Sequence, residues 1–272
     1  MSMGSRIAEA RRKCGMTQES LAEKVGVSFQ AVSTWENDKS LPDTEHLKKL
    51  AGALGITVDS LMDAGERGWE LKPMTPDPDH MYTYIKAKAQ AGKLEQTLRV
   101  LPLMREKHSA QKRKSTIGEV PYIVHPLTLA CHALAMGIVD DDVIAALLLH
   151  DVIEDTGTAP DELPVSSRVR EAVKLVSYNS YEGDKETIKP CYYKHIKESA
   201  LASLIKCIDR CNNLSCMADG FSRGKMASYV VQTEKYVIPL LDVVKAVPEW
   251  NNAAWLLRYQ ITALTETFKR LL

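Results

Sequence analysis

The chain is poor in aromatic residues, with three Phe, four Trp and ten Tyr among 272 residues. Set beside plentiful Ala, Leu, Lys and Glu, that scarcity favours helices over strands. No alternating apolar and polar run of useful length suggests a strand. Net charge is missing too, since 35 Lys and Arg balance 35 Asp and Glu. The bulk charge therefore argues for neither nucleic acid nor membrane, and a local patch must meet any such partner. Long apolar runs are absent: a stretch such as residues 143–149 is far too short to span a bilayer, and no secretion signal is expected. The six cysteines, at 14, 131, 191, 207, 211 and 216, make no CxxC pair. That spacing speaks against a zinc cluster and for buried or half-exposed thiols. A reduced, cytoplasmic protein with no membrane partner is the expectation.

What is present suits two all-helical domains, since 272 residues exceed one small module. In residues 1–63, apolar positions recur at helical spacing over 7–10, 21–25, 32–35, 47–54 and 58–62, predicting five short helices. Gly15, Gly26 and Gly55 fall between them as turn signals, and Thr17 and Ser28 stand where N-caps belong. Residues 64–79 carry Pro73, Pro76 and Pro78, which predicts a linker. Helical patterns resume over 80–272.

The run of a helix over 17–25, Gly26, and a second helix over 27–37 is a helix-turn-helix, in which glycine supplies the positive φ of the turn. The pieces Arg11-Arg12, Thr17 to Ala22, Val25 to Ser28, Trp35-Glu36-Asn37 and Leu54-Gly55-Ile56 make this segment resemble the Cro/C1-type helix-turn-helix family. The resemblance implies base contacts from Phe29, Gln30, Ser33 and Thr34, with phosphate contacts from Gln18, Asn37 and Lys39. Gln30 suits a bidentate pair with adenine, and Phe29 or Thr34 a thymine methyl. Against this, residues 1–63 hold eight Lys or Arg and nine Asp or Glu, and DNA affinity comes largely from phosphate neutralisation. A module used only for protein contact or dimerisation is the alternative; two copies spanning half-sites make a homodimer the expectation.

The second domain carries the chemistry. Residues 140–155 read DDDVIAALLLHDVIED, an acid-capped apolar helix ending in His150, Asp151, Glu154 and Asp155. At helical spacing His150 lies over Glu154 and Asp151 over Asp155. Such groups are costly to bury without a partner, so a metal or substrate is expected beside them. His125 precedes Pro126 at a helix start, Lys206, Asp209, Arg210 and Asn213 share neighbouring helical rows, and a basic run over 112–114 precedes His125. Two His and two Asp suit a borderline or hard divalent ion such as Mn²⁺ with positions open to water and phosphate.

Pro121-Tyr122-Ile123 before His125-Pro126, Ala145 to Leu148 before His150-Asp151, Glu154-Asp155-Thr156, and the run from Ile205-Lys206 to Asn213-Leu214 resemble the HD hydrolase domain of the RelA/SpoT family, which degrades (p)ppGpp. The small stand-alone hydrolases are most similar. The resemblance implies one Mn²⁺ on His125, His150, Asp151 and Asp209, with Glu154 and Asp155 as catalytic residues that position and activate water. It further implies contacts to a phosphorylated nucleotide from Arg113, Lys114, Lys206, Asn213, Lys225 and Tyr229. Tyr229 equally suits a core or surface aromatic, and Lys206 an ion-paired lysine. His108, His132 and His195 lie outside the motif and read as surface or packing histidines. Residues 177–199, with four tyrosines, match no family pattern. Three functions follow: a (p)ppGpp 3′-pyrophosphohydrolase coupled to a DNA-binding helix-turn-helix, a nucleotide-sensing transcriptional regulator with little turnover, or an HD phosphatase acting on NADPH or another phosphorylated nucleotide.

Overall fold

The computed structural model describes residues 2–62, 77–115 and 118–272, the side chains of 59, 60, 114, 115, 118 and 185 aside. The chain divides into two compact units, Met1–Met74 and Thr75–Leu272.

The described residues of the first unit form five helices: α1 (Met3–Lys13), α2 (Gln18–Val25), α3 (Phe29–Glu36), α4 (Thr44–Leu54) and α5 (Val58–Met62). Thr17, Ser28 and Asp43 each cap a helix by accepting a backbone N–H three residues on, which meets donors the first turn leaves open. Gly26 closes α2 at φ 78°, a conformation natural to glycine. Ile7, Leu21, Val25, Val32, Trp35, Leu50 and Leu54 form the buried core. Arg11 clamps α3 from α1, donating from Nε and Nη2 to the two carboxylate oxygens of Glu36 at 2.6 and 2.9 Å.

The expected linker over 64–79 falls mostly on residues outside those described. The second unit begins with α6 (Pro78–Gly92), so its first turn overlaps that stretch. Asp77 caps it and Pro78 stands at its start, where a missing N–H costs nothing. There follow α7 (Glu95–Lys107), an antiparallel hairpin of β1 (Lys112–Ser115) and β2 (Gly118–Pro121), α8 (Val124–Ala135), α9 (Asp141–Leu149), α10 (Val152–Thr156), α11 (Ser167–Val176), α12 (Lys185–Lys197), α13 (Ala200–Cys216), α14 (Arg223–Gln232), α15 (Leu240–Lys245) and α16 (Asn251–Leu271). A π-helical turn, Thr233–Val237, leads from α14 towards α15. Among the described residues the fold is all-α save for the hairpin, which the sequence pattern did not suggest. Its four-residue strands carry Lys, Arg, Glu and Gly rather than alternating apolar residues, so the period-2 signal of a half-buried strand is missing.

All of residues 143–149 are fully buried, so α9 is the central helix, and α7, α8, α11 and α13 pack against it. The three Asp at its start divide their work. Asp140 caps α9 itself. Asp141 accepts the Gln96 and Thr97 N–H groups and so caps α7, which has no side-chain cap of its own. Asp142 accepts from Gln96, Ser166 and Arg168. No described helix is long and apolar enough to cross a membrane.

Candidate metal centre

The helix expected over 140–155 is not continuous. α9 ends at Leu149, α10 starts at Val152, and Asp151 sits between them at φ −102° and ψ −5°. This bridge-region residue breaks the regular turn and turns His150 and Asp151 inward together. Asp155 keeps its helical link, its N–H donating to the Asp151 carbonyl at 2.8 Å.

His125 stands on the first turn of α8 and Asp209 in the middle of α13. His150 Nε2 lies 2.9 Å from Asp151 Oδ2 and 3.3 Å from His125 Nε2. His125 Nε2 lies 3.3 Å from Asp209 Oδ1 and 3.7 Å from Asp151 Oδ2. His125, His150 and Asp151 form a three-residue group with metal-ligand spacing, and Asp209 completes a mixed N/O set. The rest of each ring is committed. His150 Nδ1 donates to the Leu147 carbonyl at 2.9 Å and His125 Nδ1 to Asn212 Oδ1 at 2.8 Å. Both Nε2 lone pairs therefore face one another across a gap ringed by carboxylates, a donor set that fits a divalent cation. Burial opposes charge on His150, but Asp151 and then Asp209 hold its pKa up at about 8.

The carboxylates are braced from behind. The Tyr122 hydroxyl donates to Asp151. Lys206 Nζ donates to Asp209 Oδ2 at 3.0 Å and Asn213 Nδ2 to Asp209 Oδ1 at 2.5 Å. Burial pushes the Asp209 carboxyl up, but Lys206 and His125 outweigh it and hold it far below the carboxylate range. Glu154 accepts the Tyr178 N–H at 3.0 Å. Asp155 has a raised pKa, through burial first and then the charge of Asp151.

Tyr122, His125, Asp151 and Asp209 line a cleft of about 690 Å³. Arg113, Lys206, Asn213, Lys225 and Tyr229 line it with them, as do Glu154 and Asp155. Arg113 reaches Asn213 Oδ1 at 3.1 Å; Lys114 follows on β1, its side chain outside the described part. Lys206 is an ion-paired lysine on Asp209, and Tyr229 carries the Arg210 guanidinium 3.7 Å above its ring. His108 and His132 pack inside or half inside the fold, and His195 lies 3.7 Å from Cys191 on the next turn of α12. The sequence reading missed the tyrosine hydroxyl on Asp151 and the Asn212 brace, although both residues stand inside the motifs that carry the ligands. Residues 177–199 prove to be part of the cleft wall: Tyr178, Glu186 and Lys189 line it.

In the first unit, Phe29 and Gln30 are exposed at the start of α3 and Ser33 and Thr34 are half-exposed on the next turn. Thr34 Oγ1 donates to the Ala31 carbonyl and Asn37 Nδ2 to the Ser33 carbonyl. Gln18 Nε2 donates to Glu36 at 2.7 Å, and Lys39 is exposed beyond α3.

Residues 7–61 match the helix-turn-helix family. Over 66 residues the chain is 39% identical to the HTH-type transcriptional regulator ImmR of Bacillus subtilis, covering 24% of this chain and 52% of that one. Over 134 residues it is 34% identical to the guanosine-3′,5′-bis(diphosphate) 3′-pyrophosphohydrolase of Aquifex aeolicus, covering 45% of this chain but 18% of that enzyme. The human enzyme of that name, MESH1, is 32% identical over 147 residues, 49% of this chain and 78% of MESH1. The chain thus spans about half of ImmR, under a fifth of the Aquifex enzyme and most of MESH1. A solved structure of a metazoan ortholog of SpoT that hydrolyzes ppGpp shares the fold over 64% of this chain and 95% of its own, with a TM-score of 0.52 and 24% identity. Beyond its helix-turn-helix, the chain belongs to the MESH1 family of guanosine-3′,5′-bis(diphosphate) 3′-pyrophosphohydrolases.

Proposed function

We propose that the chain is a divalent-metal-dependent phosphohydrolase that removes the 3′-diphosphate of guanosine 3′,5′-bis(diphosphate), coupled to a DNA-binding helix-turn-helix. The observation that carries it is one cleft in which His125, His150, Asp151 and Asp209 converge beside Glu154 and Asp155, faced by Arg113, Asn213 and Lys225. His125, His150, Asp151 and Asp209 would hold the metal; Mn²⁺ is the ion we favour for a mixed N/O set of this hardness. When bound, it lowers the pKa of a ligating water and offsets phosphate charge.

The chain's own residues do the rest. Asp155, more basic than an ordinary carboxylate, takes a proton from the attacking water, and Glu154, fixed by Tyr178, orients that water. The water oxygen attacks the phosphorus on the ribose 3′ oxygen, the bond from phosphorus to that oxygen breaks, and the proton returns to the ribose oxygen. GDP and pyrophosphate leave. Arg113 and Lys114 suit the base or phosphates, and Asn213 and Tyr229 the ribose. The first unit, through Phe29, Gln30, Ser33 and Thr34 with Gln18, Asn37 and Lys39 on phosphates, would read DNA as a homodimer in the cytoplasm.

The test is to incubate the purified chain and its Asp151→Ala variant with Mn²⁺ and, separately, guanosine 3′,5′-bis(diphosphate), NADPH and common nucleotides. Expected is metal-dependent release of pyrophosphate from the first, lost in the variant. Release from NADPH alone overturns the substrate, and no metal-dependent release from any compound overturns the enzyme and leaves a nucleotide-sensing regulator.

A further inference from the structure

The stretch that matches no family pattern, 177–199, gives the cleft a second end. Its aromatic residues brace it against the core. Tyr178 stacks on Tyr192 with ring centroids 4.0 Å apart, and Tyr193 stacks on Tyr236 at 4.8 Å. The Tyr192 hydroxyl donates to the Val176 carbonyl at 2.7 Å. So anchored, α12 turns Glu186 and Lys189 into the wall of the cleft. The same two residues, with Ser228 and Gln232, also line an adjoining pocket of about 410 Å³ that ends at Lys235 and Tyr236. The two cavities share Glu186, Lys189, Ser228 and Gln232 as a common wall.

Cations stand at both ends of this surface: Arg113, Lys206 and Lys225 lie beside the acids and imidazole of the metal end. At the other, Lys189 is only 7% exposed, and its ammonium meets Glu186 at 2.6 Å, a carboxylate whose side chain is 81% exposed and therefore easily displaced. Arg210, which lines the same cleft as Lys189, is 3% exposed. Among the described residues its hydrogen bonds go to neutral oxygens: the Tyr229 carbonyl at 3.3 Å, Thr233 Oγ1 at 3.0 Å and the Tyr193 hydroxyl at 2.9 Å. Among the described residues its fully buried Nε meets no hydrogen-bond acceptor. The nearest acid by sequence, Asp209, is already engaged by Lys206, Asn213 and His125. A buried guanidinium without an ion-pair partner of its own is costly unless an anion comes to it. Cations at both ends suit a ligand that carries two phosphate groups.

We propose that Lys189 and Lys235, over the buried charge of Arg210, form a second phosphate site that holds the 5′-diphosphate of the nucleotide whose 3′-diphosphate lies at the metal centre. The proposal rests on the function proposed above, and it makes residues 177–199 the element that selects substrates phosphorylated at both the 3′ and 5′ positions. Arg210 is a positioning residue here; Lys189 touches the ligand.

Two measurements on the full chain test it. In the first, hydrolysis of guanosine 3′,5′-bis(diphosphate) is compared with that of guanosine 3′-diphosphate, which lacks the 5′ group. Lys189→Met keeps the stem and removes the charge. It is expected to raise KM for the first substrate about tenfold or more, the loss of a charge-assisted contact, with kcat held and the second substrate unchanged. Equal losses on both substrates overturn the proposal. In the second, GDP and guanosine are titrated calorimetrically against the metal-free chain. Lys189→Met and the surface variant Lys235→Ala are expected to weaken GDP and spare guanosine. GDP binding unchanged in both variants overturns it. This arm needs no turnover, so a chain that hydrolyses nothing, which sinks the proposed function, still decides whether the second phosphate site exists.

Discussion

Asn212 holds His125 in place: its Oδ1 accepts the ring Nδ1 hydrogen at 2.8 Å, which leaves Nε2 as a lone pair aimed at His150 Nε2, 3.3 Å away. The brace comes from α13, the helix that also carries Asp209. One helix thus supplies a proposed ligand and the residue that orients another proposed ligand. Asn212→Leu is expected to weaken Mn²⁺ binding by about tenfold to a hundredfold, as loss of such outer partners does. Calorimetric titration of the metal-free chain measures it, and affinity within twofold of the parent would show that packing alone orients His125.

A second clamp reaches the acidic turn. His108, 1% exposed, packs on Tyr122 with ring centroids 4.9 Å apart and meets Gln111 Oε1 at 2.6 Å. Gln111 Nε2 in turn donates to the Asp155 carbonyl at 3.0 Å. The pair therefore ties α10 to the base of the hairpin. Gln111→Leu is expected to lower kcat about tenfold, since small displacements of a catalytic group are costly, while metal affinity stays put. A fall in metal affinity with unchanged kcat would refute this division of labour.

How much of this was legible in the sequence follows physical lines. The convergence of His125, His150, Asp151 and Asp209 could be anticipated because a metal site needs particular donor atoms at particular spacings. The five helices of the first unit could be read because Thr17, Ser28 and Gly26 do their work within a few residues. The bend at Asp151 could not, since residues 140–155 keep a helical apolar period straight through it. The contact from the Tyr122 hydroxyl to Asp151 and that from Gln111 to Asp155 join residues 29 and 44 positions apart, and no local pattern records such a pairing. The role of α12 was hidden for a related reason: its tyrosines act by stacking on α14-side residues such as Tyr236, which only the folded chain brings near.

The α1–α3 clamp makes the first unit sensitive to acid. Burial pushes the Glu36 carboxyl up, but hydrogen bonds from Arg11 and Gln18 outweigh it and hold its pKa below the ordinary 4.5. A carboxyl depressed on folding stabilises above its unfolded pKa, and that stability is lost as pH falls through the folded value. Urea unfolding followed at pH 7 and pH 3 is expected to show the loss. Glu36→Gln is expected to cost about 1–3 kcal/mol at pH 7, because Arg11 keeps its charge without a counterpart, and to flatten the acid dependence. An acid limb of the same size in the variant would assign it to other carboxylates.

The reading of DNA turns on α3 and on very little charge. Val32 and Trp35 face the core, while Phe29 is 41% exposed and Gln30 is exposed beside it. Gln30 is the residue with the geometry to pair adenine, at about 1–3 kcal/mol of discrimination. Gln30→Ala is therefore expected to lower affinity for a selected operator by about tenfold or more, leaving non-specific binding unaltered. Eight cations against nine anions over residues 1–63 leave few phosphates to neutralise, so the slope of log K against log salt is expected to be shallow for one unit and to double when two units bind a palindrome. Fluorescence anisotropy across a salt series reads both quantities. A Gln30→Ala chain that binds the selected operator as the parent does, with the same salt slope, would move α3 from base recognition to contact with another protein.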